Sequence, residues 1–281
     1  MIPVNLNSVS ANKMTKTAKK RPRTYVNLIG APLILSSIYF GNPFFLCLFL
    51  IVSLFCIYEL DGLFNKLHIP LINWMPYVIV LTIAGIELGI INTNLTQIFL
   101  ITIVVAMVSS IVANDKYRIF SVAATIFSSF WIGIFFLSII GIRGISIIGF
   151  GVTCAMFLSV WLCDSAAFIF GKQFGKKKIA PLISPKKTWV GSSSGLISVI
   201  LLMLGFYKFN WFNYDLSLSI TLILGVIFGG LSQFGDFFES KIKREASVKD
   251  SSYFLQGHGG FLDRFDSLMI TAPATYLLLT F

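Results

Sequence analysis

From Val26 to the last residue the chain is a succession of apolar runs, broken only by short polar segments. Each run is close to the roughly 20 residues that a helix needs to cross about 30 Å of hydrocarbon. A water-soluble domain has nowhere to hide so many of them. Hydrophobic residues make up 56% of the chain and charged residues only 12%, where an ordinary soluble domain is about 25% charged. In lipid each backbone N–H and C=O must be satisfied within its own element, and these runs lack the alternation of a membrane strand. The sequence therefore predicts an all-α fold, a polytopic helical membrane protein of about nine transmembrane helices. The spans fall near 26–40, 43–60, 74–92, 95–113, 119–140, 146–170, 191–209, 216–238 and 261–281.

Charge gives this array a direction. The formal net charge is +10, which in a soluble chain would suggest nucleic acid. Here the placement of the cations explains it. With the N-terminus inside, 20 of the 22 Lys and Arg residues fall on the cytoplasmic side, and only Arg143 and Lys208 lie outside. That asymmetry is the positive-inside pattern, and it leaves nucleic acid without a role. Residues 1–24 form a basic cytoplasmic tail suited to anionic headgroups, without the features of a cleaved signal peptide. Residues 25–145 hold the N-terminal transmembrane helices, and 146–281 form a second region with cytoplasmic loops at 171–190 and 239–260. The expected setting is the bacterial cytoplasmic membrane, with the site and the N-terminus facing the cytoplasm. Cys47, Cys56, Cys154 and Cys163 lie in apolar spans without metal-type spacing and read as core fillers.

Within the spans, Gly85 and Gly89 form a G-x-x-x-G that reads as helix packing, and Trp74 and Trp131 read as interfacial anchors. Glu59 lies near the cytoplasmic end of its span, where either snorkelling or a functional partner accounts for it. Glu87 receives no role. The polar residues that packing does not explain collect late in the chain. Asp164 lies in the cytoplasmic half of the sixth span beneath a lysine-rich loop, Asp236 near the cytoplasmic end of the eighth, and Asp263 and Asp266 are spaced i,i+3 at the start of the ninth. All four fall at similar depth on one side. Ser184, Pro185, Lys186, Lys187 and Thr188 suggest a proline-fixed turn with two cations and a hydroxyl at the mouth of a Gly/Ser-rich helix, a pattern suited to phosphate oxygens.

Carboxylates crowded at one depth repel one another unless cations neutralise them, and hard divalent ions such as Mg²⁺ accept oxygen ligands of this kind. Mg²⁺ is often held by one or two carboxylates plus substrate phosphates. The combination points to phosphoryl or nucleotidyl transfer, with a lipid as one substrate because of the site's depth. No Walker-type phosphate loop is present. His258 reads as a donor to phosphate or as a turn residue, ahead of a general acid.

At this point Ser240, Lys243, Arg244, Lys249, Asp250, His258, Gly259, Gly260, Asp263, Arg264 and Asp266 stand in the order S-x-x-K-R-x(4)-K-D-x(7)-H-G-G-x-x-D-R-x-D. This resembles the signature of the phosphatidate cytidylyltransferases, the CDP-diacylglycerol synthases. Asp164, Ala167, Phe168, Gly171, Gly175 and the segment 184–188 resemble that family's second conserved region. The resemblance implies Mg²⁺-dependent transfer of the cytidylyl group from CTP to phosphatidate, yielding CDP-diacylglycerol and pyrophosphate. It also implies a homodimer, although no interface is legible in the residues.

By the same resemblance Asp236 and Asp263 are the main metal ligands, with Asp164 and Asp266 in support. Catalysis would fall to Asp236, Asp263, Lys243, Arg244, His258 and Arg264. Substrate binding would fall to Ser184, Lys186, Lys187, Thr188, Lys241, Lys249, Asp250, Gly259 and Gly260. Two positions depart from the family pattern: Val190 stands where it carries glutamate, and Gln256 where it carries Pro or Gly. The rival readings are a CTP-dependent lipid kinase, a cytidylyltransferase for another lipid phosphate and an ion-coupled transporter. A transporter would be expected to show repeated halves with broken helices near the midplane, and no repeat is visible.

Overall fold

The computed structural model describes residues 24–113, 119–213, 216–255 and 259–280, and for 24–28 the backbone alone. The basic tail, Gln256 and His258 therefore lie outside the described residues. The chain opens with α1 (Thr24–Phe40), α2 (Phe44–Lys66), α3 (Trp74–Glu87) and α4 (Leu95–Val112). It continues through two 26-residue helices, α5 (Ile119–Gly144) and α6 (Gly149–Phe174). Strands β1 (Lys178–Ala180) and β2 (Ser184–Thr188) form an antiparallel hairpin, followed by α7 (Trp189–Lys208). Next, α8 (Leu218–Val226), a π-helical turn (Ile227–Leu231) and α9 (Ser232–Glu245) form one 28-residue rod. The short α10 (Leu262–Phe265) and then α11 (Leu268–Thr280) complete the described fold.

Among the described residues six helices are long and apolar enough to cross a membrane: α2, α4, α5, α6, α7 and the α8–α9 rod. Helices α1, α3 and α11 are shorter, at 17, 14 and 13 residues. The chain is an all-α polytopic membrane protein; of the nine expected spans, six are long helices among the described residues and three are shorter apolar ones. The third span ends early for a local reason. Gly89 takes a positive φ of 70°, and the N–H groups of Ile90 and Ile91 turn back to the Gly85 carbonyl at 2.8 and 3.1 Å. This is a left-handed helix stop, and the Ile91 side chain fills the space beside Gly85. The G-x-x-x-G is thus a helix terminus and not an interhelical seam.

Two further differences bear on the site. The expected 171–190 loop is in fact the last turn of α6 followed by the β-hairpin, with Lys178 paired to Thr188 and Ala180 to Ser184. Pro185 sits inside β2, which a two-stranded ribbon tolerates because each strand has an unpaired edge. The eighth span carries a π turn, which offsets the residues beyond it relative to a straight α-helix. Gln233 braces that turn by donating to the Gly229 carbonyl at 2.6 Å and to the Ser192 carbonyl of α7 at 3.1 Å.

Phe49 of α2 lies at the centre of the core, with ring centroids 6.3 Å from Phe135 of α5, 6.0 Å from Phe157 of α6 and 5.8 Å from Phe265 of α10. Aromatic rings at these separations add to simple area burial. Phe265 therefore anchors the Asp263–Asp266 segment in the middle of the bundle. On the other side α6 and α7 approach closely through glycines. A Cβ on Gly191 would lie 2.6 Å from the Ala167 carbonyl oxygen and 3.1 Å from the Gly171 Cα, so this contact admits no larger residue. Cys56, Cys154 and Cys163 are buried fillers, while Cys47 is exposed.

Candidate active site

The three regions that carry the acids converge on one cavity of about 830 Å³. Much of its lining is apolar and comes from α1, α2 and α6, including Leu33, Ile34, Val52 and Trp161. Asp164, Asp236, Asp263, Arg264 and Asp266 line it as well. The depth match expected from the sequence is thus a spatial convergence. It rests on the α8–α9 rod crossing the α10–α11 junction so tightly that a Cβ on Gly235 would collide with the backbone of Asp266.

The carboxylates are not equivalent. Asp236 accepts from Ser240 Oγ at 3.2 Å and is paired at 2.6 Å with Lys187 Nζ from β2. The same ammonium lies 4.2 Å from the Phe237 ring centroid, a favourable cation–π distance. Asp164 is exposed to the cavity, near enough to Asp236 for the two to repel, and within electrostatic reach of Lys187 and Arg264. Asp266 is buried at the α10–α11 junction, outside the apolar helices. Its burial, followed by the charges of Asp236 and Asp164, holds its carboxyl well above the usual range. Asp164, Asp236 and Asp266 therefore form a mutually repelling acidic group.

Asp263 belongs to a second, interior network. Its Oδ1 accepts from Lys243 Nζ at 2.5 Å, and its Oδ2 accepts from Ser251 N at 2.9 Å, Ser251 Oγ at 2.8 Å and Gly260 N at 2.7 Å. Burial alone would push the Asp263 carboxyl up. The Lys243 ammonium and the Gly260 and Ser251 N–H groups outweigh it and hold the carboxyl below its ordinary value. Gly259 has a positive φ of 78°, and a side chain there would strike the Asp263 carboxylate. Lys243 also pairs with Glu239, one turn back on α9. Glu239 is fully buried, with no other hydrogen-bond partner for either oxygen among the described residues.

Comparison with known proteins fits this geometry. Residues 21–281 match the model of a family described as the cytidylyltransferase family. The chain belongs to the cytidylyltransferase family. Relatives include proteins named phosphatidate cytidylyltransferase from Staphylococcus saprophyticus, 38% identical over 172 residues, and Staphylococcus aureus, 40% identical over 173 residues. Each of these alignments covers 60% of this chain and 64% of the relative. Another, from Haemophilus influenzae, is 44% identical over 120 residues, 42% of each chain. The chain thus spans 64% of the length of the first curated relatives it matches.

Against this cytidylyltransferase background, the remaining residues singled out by the sequence stand in different surroundings. Lys186 and Lys249 are exposed, and Lys241 is exposed 4.0 Å from Glu245. Arg244 donates to the carbonyls of Ile183 at 3.2 Å and Val248 at 2.9 Å, tying the hairpin to the end of α9. Thr188 is the buried N-cap of α7, its Oγ1 accepting from Gly191 N at 3.2 Å. The segment 184–188 is thus a strand leading into a capped helix, in place of the expected turn. Ser184 and Asp250 are half-buried, and Gly260 is buried. Val190 is exposed in the first turn of α7.

Sequence reasoning assigned nothing to Glu239, Ser251 or Ser252. Glu239 carried a legible signal, a carboxylate placed i−4 from Lys243 on α9. The two serines carried none.

Among the described residues no three acidic, His or Cys side chains converge as a metal-holding group. An all-protein metal cage is therefore absent from that part of the chain. A hard cation held by one or two aspartates plus phosphate oxygens still fits the donor set, because the acids are oxygen ligands lining one cavity.

Proposed function

We propose that this chain transfers the cytidylyl group of CTP to phosphatidate, giving CDP-diacylglycerol and pyrophosphate. The observation that carries this reading is the cavity, which joins apolar side chains of α1, α2 and α6 to four aspartates and Arg264 in one lining. Such a lining suits an amphipathic ligand whose acyl chains meet the apolar side chains and whose phosphate reaches Arg264 and the aspartates. The names of the relatives support the same substrates.

In the proposed reaction a phosphatidate phosphate oxygen attacks the α-phosphorus of CTP. A new oxygen–phosphorus bond forms as the bond from the α-phosphorus to the bridging oxygen of the β-phosphate breaks, and pyrophosphate leaves. A phosphate monoester near pH 7 is already anionic, so alignment and neutralisation matter more than proton removal. Arg264, Lys187 and the exposed Lys186, Lys241 and Lys249 supply cations for the phosphates, while the Gly259–Gly260 backbone serves Asp263, to which Gly260 N–H donates. Asp236 and Asp263 would hold Mg²⁺, with Asp164 and Asp266 in support. When bound, the ion would neutralise charge on the transferring and leaving phosphates. Lys187 and Lys243 neutralise the two main carboxylates in the structure described here.

The charge asymmetry supports an orientation in which the Lys-rich hairpin and the site face the cytoplasm, with the bundle in a bacterial cytoplasmic membrane. A label test separates the proposed reaction from that of a CTP-dependent lipid kinase. With CTP labelled at the α-phosphorus, label enters the lipid fraction; with CTP labelled at the γ-phosphorus, it leaves as pyrophosphate. Label entering lipid from the γ position alone would overturn the proposal.

A further inference from the structure

Glu59 is a carboxylate from α2, in the first half of the chain and well outside the 240–266 signature. It is 3% exposed, and no cation pairs with it among the described contacts. Its stabilisation comes from four hydrogen-bond donors. Oε1 accepts from Ser252 Oγ at 2.7 Å and Phe261 N at 2.9 Å; Oε2 accepts from Ser251 Oγ at 2.8 Å and Leu262 N at 2.8 Å. Snorkelling at a span end would leave the charged group in water, so it does not describe this arrangement.

We infer that Glu59 is a positioning residue for the reaction, fastening residues 251–252 and 261–262 to α2 and thereby setting where Asp263, Arg264 and Asp266 stand in the cavity. The inference rests on the proposed function for its activity readout alone.

Three observations carry it. Firstly, Glu59 and Asp263 share a donor: Ser251 Oγ lies 2.8 Å from both Glu59 Oε2 and Asp263 Oδ2. A shift of Glu59 is therefore felt at Asp263 through one atom. Secondly, the face of α2 continues the grip one turn back, where the Phe55 ring stacks on Phe261 with centroids 4.7 Å apart at 11° and meets Phe254 at 4.6 Å. Thirdly, the fit leaves no space: a Cβ on Gly260 would collide with Glu59 Oε2 and Ser251 Oγ. The glycine at 260 is thus required by Glu59 as well as by the approach of its own N–H to Asp263.

Glu59→Gln is the informative change because it keeps volume and removes one acceptor. Whichever way the amide turns, its NH₂ faces one hydroxyl and one backbone N–H. The hydroxyl can rotate to accept, but the N–H of Phe261 or Leu262 cannot. Misplacement on the ångström scale at a reacting centre lowers rates by about 100-fold, and that is the drop in kcat expected here. KM for CTP should stay within about threefold, as Glu59 removes no contact made to the nucleotide.

Amide hydrogen exchange supplies a readout independent of turnover. In purified full-length Glu59→Gln, exchange at 251–252 and 260–262 should rise while α5, α6 and α7 stay protected. The milder Ser252→Ala, which deletes one donor at a half-buried position, should raise exchange at the same amides and lower kcat by less.

Unchanged exchange at these amides overturns the inference. So does loosening spread evenly over the bundle, which would make Glu59 a general packing element. Near-normal kcat in Glu59→Gln overturns it also. If Glu59→Gln does not insert, Ser252→Ala decides by the same two readouts. If the unmodified protein turns over no CTP, the proposed function fails and exchange alone tests the positioning role.

Discussion

Asp236→Asn is expected to lower CDP-lipid formation by about 10³-fold or more while the protein remains inserted and folded. Asp236 is half-buried and lines the cavity, where its carboxylate holds Lys187 at 2.6 Å. Asparagine keeps the shape and an acceptor for Ser240 Oγ but loses the charge that a hard cation or Lys187 needs. Because Lys187 is itself partly exposed, the lost pair costs little stability, and thermal unfolding in detergent should move by only a few degrees. Asp263→Asn should lose turnover as severely and also lose stability. Its Oδ2 accepts three hydrogen bonds and its Oδ1 pairs with Lys243, so an amide must turn an NH₂ toward donors. Rates within tenfold of normal in either variant would remove that residue from the metal-binding proposal.

Lys243→Met is expected to be the most destabilising single change in the site, by about 3–5 kcal/mol. The lysine side chain is 9% exposed between Glu239 at 0% and Asp263 at 8%. Removing the cation leaves two buried carboxylates at the point where α9 meets α10. Adding Glu239→Gln should recover part of the loss, since it removes one of the uncompensated charges. A single Lys243→Met variant as stable as the unmodified protein would show that the buried triad contributes little to the fold. Equal instability of the single and double variants would show that Glu239 is not coupled to Lys243.

What could be read from the sequence follows from the range of the forces involved. Apolar run length is a local property, so the helical membrane architecture and most helix positions were visible directly. Helix ends set by one residue were not: the stop at Gly89 depends on a single left-handed backbone angle, and the π turn on how Gly229 packs against Leu196 and Val199 of α7. The acids were legible because a charge in an apolar span demands an explanation, and their common depth anticipated the cavity.

What each acid does was not legible. Asp263 and Asp266 lie three residues apart, yet one faces Lys243 and two N–H groups while the other faces Asp164 and Asp236. Glu59 was ambiguous for the same reason, because its partners Ser251 and Leu262 are 192 and 203 residues away. Only the packing of α2 against the 251–262 segment reveals them.

The most direct test of the account is to give the purified chain CTP, phosphatidate and Mg²⁺ and to measure CDP-diacylglycerol and pyrophosphate together, with and without EDTA. The account predicts equal amounts of the two products and their loss when EDTA removes the divalent ion. CTP left intact with phosphatidate, or product formation unaffected by EDTA after exhaustive chelation, would contradict it.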